Sequence, residues 1–189
     1  IAGNAFDFVN FTGSVGGGQA MERAAAGTFT GVGTELGGKD PGYVMDDADL
    51  DAAGDTLIDG AMFNSGQCCC GIERIYVHQA VHDEFVEQAV ALVNQYVLGR
   101  SDGPDTTLGP MVKTSAADFV RQQIQEAISQ GAHGCIDESR FAMSQAGTPY
   151  LAPQLLTHVN HSMRVMTEES FGPVVGVQKV ANDKEAVRL

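Results

Sequence analysis

The sequence predicts an α/β fold in which a mostly parallel β-sheet is covered by helices on both faces. Two observations support this prediction. Residues 7–36 have the pattern of a strand, a glycine-rich turn, a short helix and a second strand. From Asp46 onwards, segments with the apolar period of amphipathic helices alternate with short segments typical of strands.

The first of these patterns begins with a buried strand predicted over residues 7–11. The turn Thr12-Gly13-Ser14 and three successive glycines follow, then an alanine-rich helix over 19–26 and a strand over 28–36. The unit comes without the strands expected on either side of it. The first residues lack the basic and apolar regions of a signal peptide. We therefore expect this chain to be an internal piece of a longer protein.

The second pattern begins where three aspartates crowd a predicted helix start, a position at which carboxylates favour the positive end of the helix dipole. Apolar residues on one face of that helix are Leu50, Leu57, Ile58, Ala61 and Met62, and residues 64–67 end it. Further helices are predicted over 81–97 and 115–130, strands over 74–78, 135–137, 151–156, 164–166 and 174–180, and a capped helix start at Asn182.

The composition restricts the classes of function and partner that we expect for this protein. Hydrophobic residues make up 43% and charged residues 19% of the chain, which is typical of a globular protein. The net charge of -13 gives a surface that repels phosphate backbones, so we expect no nucleic-acid partner. The sequence contains no apolar run long enough to span a bilayer, so we expect no membrane partner.

Four cysteines occur, three of them in succession at Cys68, Cys69 and Cys70, with Cys135 apart. This spacing makes neither an ordinary disulfide framework nor a zinc-binding pair, and the histidines are scattered. We therefore predict no metal site and a reducing, cytoplasmic setting. A loop of small residues before a strand can expose one of the thiols. It can also leave backbone N–H groups unpaired, so that they can donate hydrogen bonds to an oxyanion. The alternative is that all three cysteines fill space as small hydrophobic residues.

Three further segments are candidates for chemistry. Glu35, before a Gly-Gly turn, can be a general base, a cap or a surface residue. The glycine-rich turn at 13–18 opens a helix, where phosphate can bind, but it lacks the dinucleotide fingerprint and is equally well a tight turn. The segment 168–173 offers a carboxylate for ribose hydroxyls and a ring for a flat base, or a capped loop with a core phenylalanine.

Taken together and in order, these segments resemble the aldehyde dehydrogenase superfamily. The matching motifs are FTGS with Gly18, ELGGKDP at 35–41, DADLD at 47–51, GQCC at 66–69, LGP at 108–110 and EESFGPV at 168–174. They cover nearly the whole chain.

The resemblance implies an NAD- or NADP-dependent oxidation of a small-molecule aldehyde to a carboxylic acid through a cysteine thiohemiacetal and thioester. It makes Cys69 the nucleophile, with Cys68 and Cys70 at variable flanking positions, and Glu35 the general base. A glutamate there favours hydrolysis over acyl transfer to coenzyme A. The cofactor contacts that it implies are Thr12, Gly13, Ser14, Leu36, Glu169 and Phe171.

The resemblance also implies a domain division. Residues 1–37 correspond to the last strand, helix and strand of the dinucleotide-binding domain, and residues 38–189 to a truncated catalytic domain. Members of the superfamily are longer, and their oxyanion-hole asparagine and adenosine-binding lysine lie upstream of the matched part. We therefore expect little activity from this piece alone and a homodimeric or homotetrameric parent enzyme. A non-catalytic structural or regulatory relative, and a thiol redox or metal-binding module, are the alternatives.

Overall fold

The computed structural model describes residues 6–189; residues 1–5, the start of the predicted first domain, lie outside the described residues. The chain divides into two compact units, of which the first ends at Gly38 and the second spans Lys39–Leu189. The assignment of these units to a dinucleotide-binding and a catalytic domain stays a prediction.

The first unit contains two parallel strands joined by a helix: β1 (Phe8–Gly13), α1 (Val15–Ala25) and β2 (Gly31–Leu36). Helix α1 begins earlier than predicted because the Ser14 side chain caps it, accepting the N–H of Gly17 at 3.2 Å. The glycines expected in a turn therefore form the first turn of the helix instead.

The prediction that strand β1 is buried is wrong. Phe8 is 58% exposed, and the other residues of β1 are exposed or half-buried. Within the described residues this sheet has two strands, and all of their residues are exposed or half-buried.

The second unit is built on a five-stranded sheet in the order β3-β4-β7-β6-β5. All neighbouring strands are parallel except the short pair β5–β6, which confirms the predicted mostly parallel sheet. The strands are β3 (Asp40–Val44), β4 (Ile72–His78), β5 (His133–Gly134), β6 (Gln154–Thr157) and β7 (Val174–Val180). The helices are α2 (Leu50–Met62), α3 (His82–Val93), α4 (Thr114–Ser129), α5 (Arg164–Thr167) and α6 (Asp183–Arg188), and single 3₁₀ turns cover Phe63–Gly66 and Glu138–Arg140.

Apolar side chains pack on both faces of this sheet. Ile75 of β4 belongs to one buried cluster, which also contains residues of α2 and α3. The next residue, Tyr76, points to the opposite face and joins a second cluster with residues of α4 and α5. Because successive strand residues face opposite sides, one short strand contributes to both cores. The prediction of helices on both faces is confirmed.

Some of the individual helices and strands predicted for the second unit are confirmed, and others are wrong. Strand β7 has the predicted bounds, and α2 begins after Asp49, whose carboxylate accepts the N–H of Ala52 at 3.1 Å. The predicted strand over 164–166 is wrong. Those residues form helix α5, which buries Val165 and Met166. The strand expected over 135–137 lies instead at His133–Gly134.

Strand β3 was not predicted, because its Pro41 and Gly42 are typical of turns. It is an edge strand, and its register with β4 shifts between Asp40 and Pro41. Proline is tolerated at such an irregular edge because no neighbour there requires its missing N–H. Across residues 6–189, no helix combines the length and the apolar character needed to cross a membrane.

Candidate active site

The loop that carries the cysteines begins with an unusual backbone. After α2, residues Asn64, Ser65 and Gly66 have φ values of 51°, 58° and 69°, all in the left-handed region. The Ser65 hydroxyl, in a residue only 4% exposed, donates to the carbonyl of Gly109 at 2.8 Å. The chain thereby turns sharply from the helix towards β4, and a side-chain hydrogen bond holds the turn.

Gln67 anchors the same loop to a distant segment. Its side-chain oxygen accepts the N–H of Val112 at 2.7 Å. Its amide nitrogen donates to the carbonyl of Asn64 at 3.1 Å and, more weakly, to that of Pro110 at 3.4 Å. The Gly-Gln and Leu-Gly-Pro motifs of the sequence are therefore in direct contact in the second unit.

The three successive cysteines occupy a turn that leads into β4. The N–H of Gly71 donates to the carbonyl of Cys68 at 3.1 Å, and Cys69 and Cys70 between them are exposed. The Sγ atoms of Cys68 and Cys70 are 3.4 Å apart. The N–H and thiol of Cys70 lower the pKa of Cys68, whereas the hydrogen bond with the Cys68 sulfur raises the pKa of Cys70.

A close backbone approach joins this loop to the segment that carries Glu169 and Phe171. A Cβ added at Gly66 would overlap the carbonyl of Gly172 and lie 2.9 Å from the nitrogen of Pro173. Only a glycine fits between these segments. The predicted nucleophile loop and the predicted cofactor segment of the second unit are therefore neighbours.

The cofactor segment itself has a strained backbone. Phe171 has a φ of 52° and its side chain is 39% exposed, whereas Ser170 is 3% exposed. Glu169 is half-buried. A bulky residue in the left-handed region persists only where its surroundings hold it there.

A buried carboxylate that sequence reasoning missed holds this segment. Glu73 of β4 accepts the N–H of Ser170 with one oxygen and the N–H of Phe171 with the other, both at 2.8 Å. Lys39 donates to Glu73 at 2.5 Å and to the Ser170 hydroxyl at 3.0 Å. The Glu73 and Lys39 side chains are 5% and 8% exposed. A carboxylate at the start of a strand that also contains Ile75, Tyr76 and Val77 was the available signal, because buried charges are rare unless paired.

Two features of the surroundings of Lys39 act in opposite directions on its pKa. Burial lowers the pKa of Lys39, and the Glu73 carboxylate opposes that shift. The carbonyl of Lys39 accepts from the Arg74 side chain at 2.8 Å, so its backbone is also fixed. Lys39 is part of the ELGGK motif, but no role was predicted for it.

In the first unit, the other predicted site residues lie together at one edge of the sheet. Thr12 is the register partner of Glu35, and Gly13 is the partner of Leu36. These positions are the carboxyl ends of two parallel strands, where α/β sheets bind ligands. The side chains of Thr12 and Glu35 are exposed, and Ser14 follows at the cap of α1.

The residues of each unit fit the nicotinamide dinucleotide that the sequence resemblance implies. The first N–H groups of α1 have no partner within the helix, so those other than the N–H of Gly17, which Ser14 caps, can donate to phosphate oxygens. At Gly16 an added Cβ would meet no described atom within 4 Å, so a ligand can approach the backbone. The second unit offers the Glu169 carboxylate for ribose hydroxyls and the exposed Phe171 ring for the base. In the described part of the chain, no group of three or more His, Cys, Asp or Glu residues could hold a metal ion.

Fold and site together describe an α/β chain in which the exposed Cys69 is on a loop packed against the segment that bears Glu169 and Phe171. A model of the aldehyde dehydrogenase family matches residues 1–189, and the chain belongs to that family. Lactaldehyde dehydrogenase of Escherichia coli strain K12 is 35% identical over 191 residues, covering 100% of the chain and 39% of the relative. A crystal structure of lactaldehyde dehydrogenase from Escherichia coli matches 99% of the chain with a TM-score of 0.91 and 34% identity, over 39% of its own length.

Two further relatives are named with their cofactors. The NADP(+) succinate-semialdehyde dehydrogenase 1 of Schizosaccharomyces pombe is 33% identical over 95% of the chain and 36% of its own length. A crystal structure of betaine aldehyde dehydrogenase from Staphylococcus aureus in complex with NAD+ matches 96% of the chain and 36% of its own length, with a TM-score of 0.86 and 32% identity. The chain thus spans between about a third and two fifths of the length of these relatives.

Proposed function

We propose that the chain is part of an NAD(P)-dependent aldehyde dehydrogenase that oxidises an aldehyde to a carboxylic acid. The observation that carries this proposal is the exposed Cys69 on a loop packed directly against the Gly172–Pro173 backbone, next to the turn that bears Glu169 and Phe171. A nucleophile and a surface for a flat cofactor ring are the two elements that such an oxidation requires.

In the proposed reaction, the Cys69 thiolate attacks the aldehyde carbonyl carbon and forms a thiohemiacetal. The backbone N–H of Cys69 stabilises the developing oxyanion. When bound, NAD or NADP supplies the hydride acceptor for oxidation of this adduct to the thioester.

Glu35 is the proposed base of the second half of the reaction. Its carboxylate is exposed at the carboxyl end of β2, so water can reach it. It takes a proton from water while the water oxygen attacks the thioester carbon, and the thioester breaks to release the carboxylic acid and the Cys69 thiolate.

The cofactor contacts are proposed for both units. In the first, Thr12, Gly13, Ser14 and Leu36 lie at or beside the carboxyl ends of two parallel strands, which supports a role next to the nicotinamide and the pyrophosphate. In the second, we assign the carboxylate of Glu169 to the nicotinamide-side ribose and the ring of Phe171 to the nicotinamide.

The wider setting is also a proposal. Residues 1–37 form part of a dinucleotide-binding domain, residues 38–189 form part of the catalytic domain, and the parent enzyme is a cytoplasmic homodimer or homotetramer. The substrate is a small-molecule aldehyde. The relatives' names support this class through three different aldehydes.

Cofactor reduction by the full-length protein with a panel of aldehydes tests the function. Cys69→Ser should lower kcat by about a thousandfold or more, because a hydroxyl is a far weaker nucleophile at neutral pH. Cys135→Ser is the matched control: Cys135 directly follows β5, away from the cysteine loop in sequence, and this variant should retain activity. A wild-type protein that reduces neither cofactor with any aldehyde would favour the non-catalytic alternative. Loss in Cys68→Ser or Cys70→Ser, with an active Cys69→Ser, would reassign the nucleophile.

A further inference from the structure

The buried ion pair of Lys39 and Glu73 is hydrogen-bonded to Ser170 and Phe171. We propose that Glu73, supported by Lys39, is a positioning residue that fixes the Glu169–Phe171 turn in the conformation that binds the nicotinamide end of the cofactor. The inference rests on the proposed function, and it assigns a role to two residues whose side chains do not themselves contact the cofactor in the proposed site.

The hydrogen bonds of Glu73 converge on one turn. Each oxygen accepts a backbone N–H, one from Ser170 and one from Phe171, and Lys39 adds a third donor. A carboxylate that is 5% exposed is costly unless such donors satisfy it. Because two of the three are main-chain groups of consecutive residues, the carboxylate acts as a fixed template for the backbone there.

The turn requires such a template. Phe171, with its φ of 52°, is in a region that costs an aromatic residue free energy, and its ring is partly exposed. The partly exposed ring therefore contributes less packing to hold this backbone than a fully buried ring would. The hydrogen bond from its N–H to Glu73 directly opposes relaxation to an ordinary conformation.

Lys39 contacts both Glu73 and the turn. Its ammonium group donates to both Glu73 and the Ser170 hydroxyl, and Arg74 fixes its carbonyl. The charge of Lys39 also interacts favourably with Glu169. The buried ammonium group of Lys39 thus interacts with Glu73, with Ser170 in the turn and with Glu169, the proposed ribose ligand.

Stability alone is a weak explanation for the pair. A buried ion pair often contributes no more to folding than apolar residues of the same size. The pair is better explained by the conformation that it specifies, which here is that of the turn bearing Glu169 and Phe171.

The test uses the full-length protein and measures the cofactor Kd by calorimetry without substrate. Glu73→Gln keeps the shape but loses the charge and one acceptor oxygen. We expect it to weaken binding of the preferred cofactor by about tenfold or more, since a hydrogen bond to a charged group is lost. Because Glu73→Gln leaves Lys39 unpaired, the double variant Glu73→Gln/Lys39→Met removes both charges, and it should fold yet bind the cofactor equally weakly.

Two controls separate positioning from general damage. Ile58→Val, a core change on α2, should lower the melting temperature while leaving the cofactor Kd unchanged. The alkylation rate of Cys69 without cofactor should stay within about twofold in all variants, because the hydrogen bonds of its loop are retained. An unchanged Kd in folded Glu73→Gln and in the double variant would overturn the inference alone. Cofactor binding that depends on Glu73 without aldehyde turnover would overturn only the proposed function, and a wild-type protein that binds neither NAD nor NADP would overturn both.

Discussion

Substituting Gly66 tests the geometry of the cysteine loop quantitatively. The free-energy costs of backbone strain and of steric overlap can be measured separately by comparing Gly66 with Gly147. Gly66 and Gly147 have similar φ values, 69° and 75°. An added Cβ at Gly147 would meet no described atom within 4 Å, whereas at Gly66 it would overlap the Gly172 carbonyl. Alanine at Gly147 therefore measures backbone strain alone, and alanine at Gly66 measures strain plus steric overlap.

The magnitudes follow from these two terms. Strain in the left-handed region costs about 1–3 kcal/mol, so Gly147→Ala should lower the free energy of unfolding by that amount. Overpacking adds about another 1–3 kcal/mol at Gly66, since the neighbouring atoms are backbone and no side chain can rotate away. Gly66→Ala should therefore cost roughly twice as much as Gly147→Ala.

Denaturant unfolding of the full-length variants gives these free energies of unfolding. The alkylation rate of Cys69 reports on the conformation of the cysteine loop. We expect Gly66→Ala to change the alkylation rate and Gly147→Ala to leave it unchanged. Equal losses of stability in the two variants, with equal alkylation, would refute the close approach between the cysteine loop and Gly172.

Three other predictions are independent of that test. Glu35→Gln should leave a rapid burst of reduced cofactor followed by slow turnover, because thioester hydrolysis loses its base; a steady-state rate equal to wild type would exclude the role. Cys68 should be alkylated at lower pH than Cys70, because its pKa is lowered and more of it is thiolate; mass spectrometry across pH measures this, and the reverse order would contradict the hydrogen bond between them. Asp49→Ala should reduce the free energy of unfolding by about 1 kcal/mol through loss of the α2 cap, and no change in denaturation would show the cap to be unimportant.

Several features followed from the sequence because they depend on local interactions. The amphipathic pattern and aspartate cap of α2 are contained in neighbouring residues, and so is the apolar strand β7. The family could be recognised from ordered motifs, and the matching family model confirms that recognition. The roles of Cys69 and Glu35 stay predictions, because they depend on chemistry that neither sequence nor geometry measures.

Other features could not be read from local patterns. Strand β3 exists because its backbone pairs with β4, although its own residues favour a turn. Residues 164–166 look like a strand but form a helix, which buries Val165 and Met166 in the cluster that also contains residues of α4. In both cases a partner distant in sequence outweighs local preference.

The sequence by itself was sufficient to predict the family, the mostly parallel sheet of the second unit and the residues to be tested. The reason is that the apolar period, the helix caps and the order of the motifs can all be recognised from residues that are close together in the chain. Only the tertiary structure identified Glu73 and Lys39 as the pair behind the Phe171 turn, and Gly172 as the reason for a glycine at position 66. The contacts of Glu73 with the turn join residues 97 and 98 positions apart, and Lys39 lies 34 positions before Glu73. Hydrogen bonds and steric contacts depend on distance in space, and only folding sets that distance.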